Sequence, residues 1–196
     1  MKIYDVETQK LANEVEGEWN NLFGMLFGSA VVYDSILDRY FFYGPDDRKK
    51  LIGDLSGNLV VSFNGIRFDN GVVLGNNWRE KEPIWVDLDI KQEITKKWKG
   101  VSCIEEAENL YGRAIVHSPV SLDKICKKTL GHGKSGHGED APKLIKEGKW
   151  KELYEYNLED VRLTKKLTQF IMNNHYCVIG SGKRVEIKIP KRFWQI

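Results

Sequence analysis

Apolar residues come in short alternating or continuous runs as far as Leu88, and at helical spacing from there to Asn174. The first pattern is that of strands and the second that of helices. Lys2 to Thr8, Met25 to Tyr33 and Arg39 to Tyr43 are predicted strands, the last two joined through Asp34 to Asp38 in a meander. Pro45-Asp46-Asp47 supplies helix-start chemistry for Arg48 to Leu55. Asn58 to Phe63 reads as a buried strand, Asp69 to Gly75 as a helix, and Ile84 to Leu88 as a fifth strand. Ser121 caps a helix ending at Gly131, and Gly180-Ser181-Gly182 turns a hairpin between Tyr176 to Ile179 and Val185 to Ile189. Sheet first and helices later predict an α/β fold: a mixed five-stranded sheet flanked by helices, with a C-terminal β-hairpin.

Composition adds bounds. A chain of 196 residues, 41% hydrophobic and 30% charged, suits one ordinary domain spanning 1–196. Thirty basic residues nearly cancel twenty-eight acidic ones, so the net charge of +2 gives no sign of wholesale nucleic-acid coating and leaves room for local basic patches. Cys103, Cys126 and Cys177 stand far apart and outside any CxxC pair, the pattern of free or buried thiols in a reducing compartment. No apolar stretch is long enough to cross a bilayer or form a signal-peptide core, so a cytoplasmic protein without a membrane partner is expected.

The acidic residues carry the candidate chemistry. Asp5 and Glu7, two apart on a predicted strand, share one face, where like charges need a cation or a proton unless the strand end is solvated. Leu153, Tyr156, Asp160, Leu163, Leu167 and Phe170 define one helix face, which puts Asp160 on the apolar side. A carboxylate there needs a partner, and a salt bridge to a lysine or arginine is its ordinary explanation. Tyr156 stands one turn earlier on that face, as a water-orienting hydroxyl or simply as an aromatic core residue. Asp69 follows a buried strand and the Asn64-Gly65 turn, where capping a helix is the alternative role. Asp5, Glu7 and Asp69 all lie where ligands gather in open α/β sheets, at or beyond the carboxyl ends of strands.

Three other features compete for a role. The run Gly131 to Gly138 predicts a mobile loop, in which Lys134 and Ser135 either meet phosphate or are merely solvated. Gly133-Lys134-Ser135 is not a nucleotide-triphosphate loop, since Lys128 stands where that motif needs glycine. His132 and His137 lack matching ligand spacing and read as surface residues. Two basic clusters, Lys96-Lys97-Trp98-Lys99 and Lys183-Arg184 with Lys188, Lys191 and Arg192, have the aromatic neighbours Trp98, Phe193 and Trp194, which would suit a nucleic-acid track.

Taken in order, Tyr4-Asp5-Val6-Glu7-Thr8, Asn64-Gly65-Ile66-Arg67-Phe68-Asp69 and Tyr156-Asn157-Leu158-Glu159-Asp160 resemble the three exonuclease motifs of the DEDD superfamily. Tyr156, four residues before Asp160, resembles the tyrosine branch, DEDDy. The stretch from Ser121 into Tyr156 is most similar to the YprB-like predicted exonucleases. The segment Lys91 to His117 and the terminal hairpin match none of the motifs.

The resemblance implies a ribonuclease H-like fold and a 3′-to-5′ exonuclease acting on single-stranded DNA or RNA ends, alongside a helicase or polymerase. It implies two Mg²⁺ or Mn²⁺ ions held by Asp5, Glu7, Asp69 and Asp160, with Tyr156 orienting the nucleophilic water and Asn64 and Phe68 positioning the terminal nucleotide. Phe68 would equally suit the core. The alternatives are a structure-specific endonuclease or resolvase of the same fold, and an inactive nucleic-acid-binding module.

Overall fold

The computed structural model describes residues 1–80, 84–134 and 141–193. Its main sheet runs β3-β2-β1-β4-β5, built from β1 (Lys2–Thr8), β2 (Phe27–Asp34), β3 (Arg39–Tyr43), β4 (Leu59–Ser62) and β5 (Val86–Asp89). β2 pairs antiparallel with β1 and β3, whereas β4 runs parallel to β1 and β5. The expected mixed five-stranded sheet is therefore present, with strand ends displaced by a few residues. β5 begins at Val86 rather than Ile84 because its ladder follows Leu59–Ser62 of β4 in register, Leu59 facing Val86 and Ser62 facing Asp89.

Helices cover both faces. On one face, Ile3, Val31 and Val61 pack with Ile94 of α3 (Ile90–Lys99), Ile125 of α6 (Leu122–Leu130) and Leu163 and Leu167 of α8 (Trp150–Asn174). On the other, Tyr4, Val6, Val32 and Val60 meet Leu51 and Leu55 of α1 (Arg48–Leu55) and Val72 and Val73 of α2 (Asp69–Leu74). Packing on both sides is why β2 is buried throughout, with Val31 and Val32 both fully enclosed. Each such side chain contributes ~1.5–3 kcal/mol relative to exposure. A small third cluster joins α4 (Ile104–Tyr111) and α5 (Arg113–His117) through Ile104, Ala107 and Val116. A short helix α7 (Ala141–Lys146) precedes α8, and the antiparallel hairpin of β6 (Tyr176–Val178) and β7 (Arg184–Glu186) lies after it.

Between β1 and β2 the chain makes three 3-10 turns, Ala12–Glu14, Glu18–Asn20 and Leu22–Met25, which no hydrophobic periodicity announces. They carry Trp19 to the carboxyl end of the sheet. Where β2 enters, its pairing shifts: Glu7 faces Ser29 while Thr8 faces Phe27, leaving Gly28 as the extra residue of a bulge. Cys126 and Cys177 are buried and Cys103 is half-buried, all three as free thiols. No helix among the described residues is long and apolar enough to cross a membrane.

Candidate functional site

β1 presents Asp5 and Glu7 on the same face as Ile3, which packs toward α8. α8 presents Asp160 to that face, and carboxylate oxygens of Asp5, Glu7 and Asp160 lie within 4.8 Å of one another. Glu7 and Asp160 are buried and Asp5 half-buried. Asp69 reaches β1 from the opposite side. The parallel ladder between β1 and β4 stops at Ile3↔Val61, and the Val6 N–H donates instead to Asp69 Oδ1 at 2.9 Å. Asp69 therefore does not cap α2. It is the first residue of that helix, and the Phe68 cap position carries no side-chain cap. Behind it, Tyr4 Oη donates to Asn70 Oδ1, and Asn70 Nδ2 donates to Asp87 Oδ2 at 2.9 Å, which fixes the start of α2 against the sheet.

Four acids in so small a space cannot all ionise cheaply. Burial, then the neighbouring charges of Asp160, Asp69 and Glu7, push the Asp5 carboxyl well above the usual range. Glu7 rises for the same reasons, burial first and Asp160 next. Burial raises Asp69 to about 8, although the hydrogen bond from Val6 works against it. Burial also raises Asp160, against the pull of Lys134.

Lys134 is the counter-charge. Its ammonium forms an ion pair with Asp160 Oδ2 and feels Asp5 and Glu7 as well; burial works to lower its pKa, yet the three carboxylates outweigh it and hold the charge on. Its backbone N–H donates to Asp123 Oδ1 at 2.9 Å, so α6 anchors the loop. Lys134 is thus neither solvated nor turned outward to a phosphate: the ordinary explanation of Asp160, a salt bridge, is fulfilled through one oxygen. The other oxygen, Oδ1, is buried and meets no hydrogen-bond donor among the described residues.

One cavity of about 600 Å³ brings the candidate residues together: Asp5, Glu7, Asn64, Phe68, Asp69, Lys134, Tyr156 and Asp160 all line it. Ser135 and His137 lie outside the described residues. Asn64 adopts a left-handed backbone, φ 82°, which asparagine tolerates better than most residues. Phe68 is half-buried, its ring 6.3 Å from that of Trp19. Lys134 Nζ lies 5.8 Å from the centre of the Tyr156 ring. His132 is exposed and takes no part in the acidic group.

Two expectations need correction. Trp98 and Phe193 do not form an aromatic track, because Phe193 is enclosed in the core and Trp98 packs against it under Lys99; Trp194 lies outside the described residues. Tyr156 is only half-buried, and the enclosed residue at that level of α8 is Asn157. One positioning residue was missed. Asp89 Oδ1 accepts from the backbone N–H groups of Asn64 (2.9 Å) and Gln92 (3.1 Å), and Oδ2 from that of Ile66 (3.3 Å), tying the Asn64 turn to the start of α3. The signal was Asp87-Leu88-Asp89, a second acidic pair spaced like Asp5 and Glu7.

The donor set fits a hard divalent cation. All candidate ligands are carboxylate oxygens, those of Asp5, Glu7 and Asp160 converge, and Asp160 Oδ1 is left without a donor among the described residues, so the group could hold an oxygen-seeking cation of the Mg²⁺ or Mn²⁺ kind. No protein-family model matches the chain, and no curated protein matches it in sequence.

Proposed function

We propose that this chain is a divalent-cation-dependent 3′-to-5′ exonuclease acting on single-stranded nucleic acid. The observation that carries the reading is the convergence of Asp5, Glu7 and Asp160 within 4.8 Å, in the same cavity as Asp69 and Tyr156. The same reading assigns the sheet to the ribonuclease H-like class. Its support is the order β3-β2-β1-β4-β5, with acids on the central strand and on the helix packed across it.

Asp5, Glu7, Asp160 and Asp69 would hold two Mg²⁺ or Mn²⁺ ions, which supply a nucleophilic water at neutral pH and neutralise charge on the leaving oxygen. The bond that forms joins the water oxygen to phosphorus. The bond that breaks is P–O3′, and the products are a nucleoside 5′-monophosphate and a strand one residue shorter. Tyr156 orients the water, a role that suits a hydroxyl better than proton abstraction does. The Phe68 ring supports the terminal nucleotide by stacking, and Asn64 Oδ1, buried without a donor among the described residues, accepts a hydrogen bond from it. Lys134, which pairs with Asp160 in this structure, would with cations on these carboxylates be available to substrate phosphate.

A 5′-labelled single strand tests this. It shortens to a ladder with Mg²⁺ or Mn²⁺, survives in chelator, and a circular single strand stays intact. Cutting of the circle overturns the end-directed reading in favour of an endonuclease. One observation favours a second reading, a module that binds strands without cutting: the Lys134–Asp160 ion pair already neutralises part of the cluster. Equal absence of turnover in wild type and Asp160→Ala, with strand binding kept, selects that module.

A further inference from the structure

A second cavity, of about 620 Å³, adjoins the carboxylate cavity and shares Trp19, Asn64 and Phe68 with it. Its character is opposite. Arg67, Arg79, Lys91 and Arg113 line it against a single lining carboxylate, Glu105. Beneath it Glu108 already serves several partners: Arg67 at 2.5 Å, Arg113 at 3.5 Å, and His117. Four cationic side chains therefore face three carboxylates, Glu105, which pairs with Arg79 at 3.5 Å, Glu108 and Asp89, and the wall keeps a small positive excess even with His117 neutral.

Lys91 is where that excess concentrates. It is half-buried and forms no ion pair or side-chain hydrogen bond among the described residues, although Asp89 and Glu108 lie within electrostatic reach. Burial, reinforced by the neighbouring Arg67, pulls its ammonium down to about 8, against the pull of Asp89. A desolvated cation without a partner gains most from an incoming anion. The aromatic side is equally exposed to use: Trp19 is 59% exposed, with its ring beside Phe68 at the boundary of the two cavities. Alternation of an acidic centre, exposed rings and a cationic wall matches the alternation of scissile phosphate, base and next phosphate along a single strand. Half of the cationic side chains of this wall, Lys91 and Arg113, come from residues 91 to 117, the segment that matches none of the motifs.

We propose that this cavity is the site for the upstream strand: Trp19 stacks on the penultimate base, and Lys91, Arg113 and Arg67 bind the phosphate on its 5′ side. The proposal rests on the exonuclease reading for the position of the scissile bond. It makes strand length matter, because the carboxylates and Lys91 line different cavities and the site for the penultimate base lies between them.

Fluorescence anisotropy on the full chain tests it, using a 5′-fluorescein oligothymidylate of about ten nucleotides in chelator, where no hydrolysis occurs. Lys91→Gln with Arg113→Glu weakens binding about tenfold or more, the order expected for removing charge-assisted hydrogen bonds. The log–log salt slope becomes shallower by ~0.7 for each phosphate that is no longer neutralised. Trp19→Ala weakens strand binding and leaves inorganic phosphate binding unchanged. Mn²⁺ titration of the same variants matches wild type, showing that the fold and the carboxylates are intact. Wild-type affinity and salt slope in the double variant overturn the proposal, as does a wild type that binds phosphate but no strand. If strand binding depends on Lys91 and Arg113 while Mn²⁺ binding and hydrolysis are absent, the cavity stands as a strand site and the exonuclease reading fails.

Discussion

Asp69 Oδ1 accepts a 2.9 Å hydrogen bond from the backbone N–H of Val6, the residue between Asp5 and Glu7. One carboxylate oxygen thus fixes the start of α2 to the strand bearing two other acids, across 63 residues of sequence. The bond is to backbone, so it survives replacement by an amide. Asp69→Asn should keep the anchor and remove a charge that burial disfavours. Its metal-free melting temperature should equal or exceed wild type, while the gain on adding Mn²⁺ shrinks. Asp69→Ala loses the anchor too and should cost ~1–3 kcal/mol. Calorimetry with and without Mn²⁺ distinguishes the two, and equal Mn²⁺ gains in wild type and Asp69→Asn would remove Asp69 from the ligand set.

Lys134 makes the metal-free cluster tolerable. Lys134→Ala strands the buried Asp160 without its partner, a change that typically costs ~3–5 kcal/mol. A divalent cation supplies the missing charge, so the variant should gain more stability from Mn²⁺ than wild type does. Urea unfolding at several Mn²⁺ concentrations measures the difference. An equal gain would mean that Lys134 and cations do not compete for the same carboxylates.

Gly28 lets β2 pass the bulge beside Glu7. A Cβ there would sit 2.9 Å from the Glu7 carbonyl oxygen and 2.5 Å from Ile145 Cδ1. The side chain of Ile145 can rotate, but the Glu7 backbone can yield only by moving a candidate ligand. Gly28→Ala should cost ~1–3 kcal/mol and weaken Mn²⁺ binding together. Unaltered Mn²⁺ affinity would show that the bulge does not set the position of Glu7.

The pH dependence has a definite sign. Burial raises Asp69 to about 8 and Asp87 to about 6, and Asp5, Glu7 and Asp160 move in the same direction. A carboxyl with a raised folded-state pKa contributes its full stability below the ordinary value near ~3.9 and loses it as pH rises through the folded value. In chelator, the melting temperature should fall from about pH 5 to about pH 9. Asp87 contributes the earlier part of the fall and Asp69 the later. Mg²⁺ should flatten the later part and leave the Asp87 part unchanged. A flat chelator profile would contradict the burial of charged groups described above.

The sheet was legible because strands buried on both faces leave continuous apolar runs, as in Val31-Val32 and Val60-Val61. The acids were legible for a different reason: Asp5 and Glu7 share strand parity, and Asp160 interrupts an apolar helix face. What periodicity could not supply was the meeting of distant segments. The pairing of Lys134 with Asp160 and the bond from Asp69 to Val6 depend on tertiary closure. Trp19 was invisible because 3-10 turns carry no hydrophobic period. Asp89 was overlooked because its bonds go to backbone N–H groups, for which any turn-adjacent acid looks alike.

The most direct measurement is a Mn²⁺ titration of wild type and Asp160→Asn followed by electron paramagnetic resonance of the free ion. Wild type should bind about two ions, and Asp160→Asn should lose the tighter one although the variant remains folded. Binding of the same number of ions with the same affinity in both proteins, or none in wild type, would rule out a cation site built on these carboxylates.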